Sequence, residues 1–236
     1  MKTNQEIFSF HLLKMHPFKT LQRLFFKPMK VGSSGLLHLE CFFLTQLGQS
    51  IISPKRYRFK ECALFAWWQE EQCLEEFMIK GNGLSKEHWH VRMKLYRKWG
   101  DISELKKSRI YDKELKGTNP MVALTLARLQ ISQTARFIKW GKPVETQVRD
   151  HPGQKMALAA MRPLNTFSTF SIWKNEREML NMVQGHNKVT DGESHIKAMK
   201  ERAVRPFHHE FATMRFMPLS EHGIWNGKGD YVSSRS

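Results

Sequence analysis

The strongest constraint on the fold is a pattern that occurs twice in the 236 residues. Residues 65–71 (FAWWQEE) are matched by residues 170–176 (FSIWKNE). In each copy an apolar segment with strand character ends at a tryptophan, Trp68 or Trp173, and the acidic start of an amphipathic helix follows. Internal similarity of this kind predicts that one supersecondary unit is used twice.

The segments before these two copies also correspond. Residues 7–13 and 122–129 each have strand character, and a short amphipathic helix follows each of them. We expect these helices to end at Lys27-Pro28 and Lys142-Pro143, because proline interrupts a helix. A further apolar strand then follows in each half, at residues 36–44 and 156–161.

Two polar residues are candidate helix caps in the second half. Ser132 precedes the first helix of that half, and Asn175, with Glu178 three residues later, resembles an N-cap with its capping partner. We expect Trp68 and Trp173 to be buried, since each large ring can seal the junction between a strand and a helix.

Each half therefore reads strand, helix, strand, strand, helix, and then a further basic amphipathic segment. That order resembles a ferredoxin-like unit. The sequence predicts an α+β chain of duplicated ferredoxin-like units forming a dimeric-type α/β barrel within one chain. We expect halves at residues 1–100 and 119–226, a linker at 101–118 and a flexible tail at 227–236. The alternative is two α+β halves that share this order by chance.

Composition excludes several classes of protein. A disulfide scaffold is excluded, because the three cysteines are too few and form no CxxC pair (Cys41, Cys62 and Cys73). The longest apolar stretch, residues 35–48, is interrupted by His38 and Glu40, so a transmembrane helix is not expected. The N-terminal residues lack the features of a secretory signal. We therefore expect a soluble, cytoplasmic protein.

The chain is strongly basic, with a formal net charge of +16. Residues 7–60 contain one acid, Glu40, against nine basic residues (Lys14, Lys19, Arg23, Lys27, Lys30, Lys55, Arg56, Arg58 and Lys60). No signature of a common nucleic-acid-binding module is present, so specific nucleic-acid binding is not expected. A peripheral contact between this basic surface and a membrane stays open.

The histidines include one candidate for a cofactor ligand. The pairs His88/His90 and His208/His209 lack cysteine or acidic neighbours at the spacing of a zinc site. If a helix starts at Ser194, His195 lies on one stripe with Ala198, Met199 and Arg202. A histidine on such a stripe is either a core residue with a backbone partner or an axial ligand of haem iron.

Several motifs of the second half resemble the spheroidene monooxygenase family. They are residues 166–173 (TFSTFSIW), a Met-rich helix, residues 195–199 (HIKAM) and residues 210–219 (EFATMRFMPL). Residues 119–125 (NPMVALT) resemble the start of the second half of that family. The resemblance extends over residues 118–226 and is looser in the first half, where Trp99-Gly100 stands in place of a His-Gly pair.

The resemblance implies a duplicated barrel and a haem-dependent monooxygenase that acts on an apolar polyene, a carotenoid in the family's named member. It implies haem as the cofactor, His195 as its axial ligand, and Arg128 and Arg215 as partners of the haem propionates. The partners would be a hydrophobic small-molecule substrate and an electron donor. Two alternatives stay open: a non-catalytic α/β barrel that binds haem or a hydrophobic ligand, and a basic module that binds nucleic acid or a membrane surface.

Overall fold

The fold is described from a computed structural model, over residues 5–25, 35–80, 88–111, 118–163, 165–186 and 193–233. The first half contains β1 (Ile7–Lys14), α1 (Pro17–Phe25), β2 (Leu36–Thr45), β3 (Tyr57–Trp68), α2 (Glu71–Lys80) and β4 (His88–Asp101). The second half contains β5 (Met121–Leu129), α3 (Thr134–Arg149), β6 (Gln154–Arg162), β7 (Thr166–Trp173), α4 (Glu176–Val183), α5 (Ser194–Val204) and β8 (His208–Gly223). Single 3-10 turns lie at Pro54–Arg56, Ser103–Leu105 and Ile131–Gln133.

The eight strands close into an antiparallel barrel in the order β1-β3-β2-β6-β7-β5-β8-β4. Each half has the ferredoxin-like strand order, β4-β1-β3-β2 in the first and β8-β5-β7-β6 in the second. The halves join where β2 pairs with β6 and β4 pairs with β8. The chain is therefore an α+β barrel of duplicated ferredoxin-like units, as the sequence predicts.

Alternate residues of each strand fill the barrel interior, because side chains along a strand point to opposite faces. Phe8, Phe10 and Leu12 of β1 belong to this interior, together with Phe170 and Ile172 of β7. The rings of Phe10 and Phe170 stack with centroids 3.9 Å apart, so aromatic rings from the two halves meet inside the barrel. The helices cover the outer faces of the two half-sheets.

Trp68 and Trp173 are the last residues of equivalent strands and lie on these outer faces. Their exposed fractions are 1% and 0%, which confirms the prediction that both are buried. The indole Nε1 of Trp68 donates to Ser9 Oγ at 2.9 Å, and that of Trp173 donates to Ser171 Oγ at 2.8 Å. Each buried N–H therefore has the acceptor that its burial requires.

The expectation that Pro143 ends its helix is wrong, since α3 continues through Pro143 to Arg149. A proline removes one backbone hydrogen bond, and tertiary contacts of the last turns offset that loss. One such contact is made by Gln147, which is 1% exposed and donates from Nε2 to Met182 O at 2.7 Å. Lys27-Pro28, the other expected helix end, lies outside the described residues.

The two predicted caps have different outcomes. Asn175 caps α4 as predicted, because its Oδ1 accepts from Glu178 N at 3.0 Å. Ser132 lies within a 3-10 turn instead, and the N-cap of α3 is Gln133, whose side chain makes no cap bond.

Both segments outside the predicted halves contribute to the core. Ile102 and Leu105, in the predicted linker, are fully buried at one end of the barrel. The tail does not fray at its start, because Tyr231 is 8% exposed and its backbone N–H donates to Glu221 Oε2 at 3.0 Å. Glu221 also accepts from the backbone N–H of Val232 at 2.8 Å. The domain boundaries themselves stay predictions.

In the part of the chain that the structure describes, no helix has both the length and the apolarity needed to span a membrane.

Candidate cofactor-binding cleft

The outer faces of the two half-sheets are packed differently. In the first half, large apolar side chains fill the space between sheet and helices. Leu39 and Leu64 are buried there against Leu74 of α2, with Phe77 packed beside them. This outer face is an ordinary hydrophobic core.

The corresponding face of the second half carries small side chains. Thr169, Thr125 and Thr213 lie directly opposite one another on the adjacent strands β7, β5 and β8. Ala159 of β6 continues this row beyond Thr169, and Ala123 lies two residues before Thr125. We call these five residues the threonine face. Thr169 is exposed and Thr125 and Thr213 are half-buried, although they lie on the inner strands of a helix-covered sheet.

The strand register shows which residues occupy the equivalent positions in the first half. Leu64 lies four residues before Trp68 on β3 and pairs with His11 of β1. His11 in turn pairs with His90 of β4. In the second half, Thr169 lies four residues before Trp173 and pairs with Thr125 of β5, which pairs with Thr213 of β8. Leu64, His11 and His90 are all buried. At these equivalent positions the second half therefore has smaller side chains than the first half.

Helices α3 and α5 pack against each other and make contacts beside one edge of the threonine face. The ring of Phe137 on α3 lies 5.3 Å from Phe167 of β7 and 5.5 Å from His208 of β8. The guanidinium of Arg202 on α5 lies over the ring of Phe211 at 3.7 Å. These contacts close the cleft on the side where β8 begins.

The opposite edge is closed by sulfur-containing and aromatic side chains. Met179 and Met182 of α4 pack with Trp173 and Met121, and Val148 of α3 packs against the same cluster. Between this cluster and the Phe137 contacts, the threonine face remains partly open to solvent. We call this region, with its partly exposed small residues between two apolar edges, the candidate cleft.

His195 lies on α5, which begins at Ser194 as the sequence predicts. Its backbone N–H donates to Gln147 Oε1 at 2.9 Å, and the same amide group bonds α4 through Met182 O. Burial lowers the pKa of the His195 imidazole, and a hydrogen bond to the Val183 backbone opposes this shift. A lowered pKa favours the neutral imidazole, which is the form that can bind a metal.

Arg202 lies seven residues after His195 on α5, about 10 Å further along the helix axis. Burial lowers the pKa of Arg202. The described residues place no carboxylate within ion-pair distance of it. A half-buried cation with this environment has unused capacity to bind an anion, since a planar guanidinium can pair bidentately with a carboxylate.

Arg128 lies in an ionic cluster at one end of the barrel interior. It donates to Glu104 at 2.7 Å, to Glu40 at 3.2 Å and to Glu210 at 2.5 Å. Burial alone would raise the pKa of Glu104, but hydrogen bonds from Arg128 lower it to about 2. Arg162 also donates to Glu40, which is 1% exposed, at 2.5 Å. Carboxylates therefore already surround the Arg128 guanidinium.

Arg215 is engaged in the same way on the outer face, where it donates to Glu176 Oε1 at 2.5 Å. Arg128 pairs across the strands with Glu210, which is five residues before Arg215, or about 17 Å along β8. The structure does not bring Arg128, Arg215 and His195 together. The propionate-binding roles of the two arginines stay predictions.

Four of the other histidines, His11, His88, His90 and His222, form a row on the outer sheet face beside the first half. The ring centroids of His11 and His90 are 5.2 Å apart and those of His90 and His222 are 4.9 Å apart, with nearly parallel planes. Among the described residues, no group of three or more His, Cys, Asp or Glu side chains is arranged to hold a metal ion. His88 lies at the edge of this row, with its ring centroid 6.3 Å from that of His90.

The threonine face was not identified from the sequence, although β5 carries a signal for it. Large residues alternate with small ones along this strand (Val122, Leu124 and Leu126 against Ala123, Thr125 and Ala127). Such alternation indicates one packed face and one face with room above it.

Comparison with known proteins gives the fold class. No family model matches the chain, and no curated protein sequence does. An aldoxime dehydratase in complex with butyraldoxime has a similar structure, with 7% identity, a TM-score of 0.54, and coverage of 97% of this chain and 86% of that one. This similarity supports an α+β barrel of duplicated ferredoxin-like units.

Two further structures were found at lower TM-scores. A proposed monooxygenase from Fusobacterium nucleatum has 10% identity and a TM-score of 0.40, covering 96% of this chain and 98% of that chain. The heme-degrading enzyme of Listeria monocytogenes has 12% identity and a TM-score of 0.30, covering 90% and 99%.

Proposed function

We propose that this protein is a haem-dependent monooxygenase of the spheroidene monooxygenase type, acting on an apolar polyene or a similar hydrophobic substrate. The observation that carries the proposal is the threonine face. A flat cofactor needs a gap between a sheet and its covering helices. In this chain the small, partly exposed residues that would leave such a gap lie in the half whose motifs resemble that family.

The residues around the cleft fit a haem. His195 has one ring nitrogen held by the Val183 backbone, as metal-binding histidines commonly do. Arg202 would pair with a propionate, because it is a cation without a carboxylate partner among the described residues. Arg202 is therefore better supported than Arg128 or Arg215, which already bind carboxylates. The haem, when bound, would supply the oxygen chemistry.

The remaining side chains define what the cleft can accept. Phe137, Phe167 and Phe211 give one end of it an aromatic lining, and Met179 and Met182 line the other. These groups exclude water and bind apolar surface without hydrogen bonds. They favour a long hydrophobic substrate over a polar one. An oxygenase of this kind would also need an electron donor.

A non-catalytic binding protein for haem or a hydrophobic ligand is the second candidate. The observation that favours it is the chemistry of the threonine face, which consists of methyl and hydroxyl groups. Threonine hydroxyls do not titrate near neutral pH, so they cannot move a proton as an acid or base would. Oxygen-dependent turnover of a carotenoid, supplied with a reductant, separates the two candidates.

The test of haem binding compares three histidine variants. Purified protein is titrated with haem, and bound haem and the Soret band are measured for His195→Ala, His88→Ala and His208→Ala. We expect His195→Ala to lose haem or shift the Soret band, and His88→Ala, a change outside the cleft, to behave as the parent protein does. Because the His208 ring contacts Phe137 at the edge of the cleft, loss of haem in His208→Ala alone would move the ligand role to His208. Full occupancy with an unshifted band in His195→Ala would contradict the assignment.

A further inference from the structure

A group of exposed apolar side chains surrounds the point where α1 and β3 begin. Phe18 and Leu21 on α1 are 71% and 50% exposed. Ile52 and Phe59 are 87% and 53% exposed, and Ile51 beside them is 38% exposed. Each of these side chains would gain free energy if it were removed from water. We call these five residues the apolar patch.

Hydrogen bonds and ring contacts connect the parts of the apolar patch. Met15 N, two residues before α1, donates to Lys60 O at 2.9 Å and so places the start of α1 beside Phe59. The Phe59 ring stacks on Tyr57 with centroids 5.8 Å apart, and Tyr57 Oη donates to Ile51 O at 2.6 Å. The turn and the strand therefore form one surface, and the bond from Met15 places the start of α1 next to it.

Helix α1 is more apolar than its contact with the sheet requires. Thr20 and Leu24 form its buried side, at 1% and 8% exposure. Phe18 and Leu21 extend the same apolar stripe away from the sheet, where no described side chain buries them. A helix with this excess of apolar surface lies well at an interface between water and lipid.

Three lysines lie beside the patch. Lys19, Lys55 and Lys60 are all exposed beside it. The single acid of residues 7–60, Glu40, is 1% exposed and bonds Arg162 at the end of the barrel interior.

Two acids from other segments lie near this region, and both are neutralised. Glu61 accepts from Arg58 at 2.9 Å, and Glu145 accepts from Arg56 at 2.6 Å. The surface around the apolar patch therefore presents free lysines to an approaching anion.

We propose that the apolar patch and its lysines form a docking surface for the headgroup region of an anionic lipid membrane. The lysines attract the surface through its negative potential, and the apolar side chains then enter the boundary between headgroups and acyl chains. The aliphatic side chains of Ile52 and Leu21 favour a lipid surface over a nucleic acid, because proteins bind nucleic acids mainly through aromatic stacking and cations.

The experiment measures co-sedimentation of the full chain with vesicles, using phosphatidylcholine alone and phosphatidylcholine containing about one third phosphatidylserine. We expect binding to the anionic vesicles that weakens as salt is raised. The double variants Phe18→Ser/Ile52→Ser and Lys19→Glu/Lys55→Glu should each weaken it about tenfold or more.

The matched control is Ile79→Ser/Ile131→Ser, which removes two isoleucines that are 78% and 72% exposed outside the patch. We expect this control to bind as the parent protein does, and circular dichroism checks that every variant is folded. Equal binding of parent and Phe18→Ser/Ile52→Ser would overturn the proposal. So would tighter binding to a single-stranded polynucleotide than to the vesicles, with no effect of the Phe18 and Ile52 changes.

Discussion

Arg92 and Arg215 occupy equivalent positions in the two halves of the barrel. Arg92 lies opposite Ser9 and donates to Glu71 at 2.7 Å, whereas Arg215 lies opposite Ala123 and donates to Glu176 at 2.5 Å. Glu71 and Glu176 are the first residues of α2 and α4. In both halves an arginine of the sheet therefore pairs with the first residue of the helix, and Arg92 also donates to Glu75 at 3.3 Å.

Breaking this ion pair should cost more in the second half. The side-chain exposures are 12% and 23% for Arg215 and Glu176, against 14% and 54% for Arg92 and Glu71. Glu176→Gln should lower the free energy of unfolding by about 1–2 kcal/mol, since it weakens a charged bond to a half-buried guanidinium. Urea denaturation measures this change in the free energy of unfolding, and Glu71→Gln is the matched control. A larger loss in the control would contradict the interpretation.

Replacing either buried tryptophan with alanine should destabilise the protein strongly. Trp68→Ala and Trp173→Ala should each lower the free energy of unfolding by about 3–5 kcal/mol, because each leaves a large cavity. The control is Trp99→Ala, since Trp99 is 46% exposed. If the urea midpoint of Trp173→Ala equalled that of the parent protein, Trp173 would have no role in the core.

The histidine row should make stability depend on pH. Burial, followed by the charges of His222, Arg92 and His88, lowers the pKa of His90 to about 3. Burial, followed by the charges of neighbouring histidines, also lowers the pKa of His11 well below its ordinary value.

The unfolded chain binds a proton on each of these histidines near pH 6.5, and the folded chain does not. For His90 this stability is fully present above pH 6.5 and is lost as the pH falls toward 3, by about 1.4 kcal/mol per pH unit. His11 changes stability in the same direction. Urea denaturation from pH 7 to pH 4 measures this slope. His90→Phe should reduce it, whereas His16→Gln, a change at an exposed residue, should leave it as it is.

Filling the cleft should have opposite effects on stability and on haem binding. Thr169→Leu introduces the residue that Leu64 provides in the first half, so it should stabilise the protein without haem by about 1 kcal/mol. The same side chain should reduce haem occupancy because it occupies the floor of the cleft. Thr169→Ser is the control, since it keeps the floor small. Haem occupancy equal to that of the parent in Thr169→Leu would place the cofactor elsewhere.

The fold was predictable from the sequence because its evidence lies in short stretches of chain. Trp68 and Trp173 each end an apolar strand and precede an acidic helix start, and both signals are local. The continuation of α3 past Pro143 was not predictable, because Gln147 reaches an acceptor on another helix. The threonine face depends on the register of three strands, so no single segment reveals it.

The union of both halves in one chain has a consequence for how such a protein can evolve. In a barrel made of two identical subunits, every substitution appears on both outer faces. Here the face that holds Leu64 is packed, and the face that holds Thr169 is partly open. One half can therefore act as the stable scaffold while the other varies under selection for a ligand.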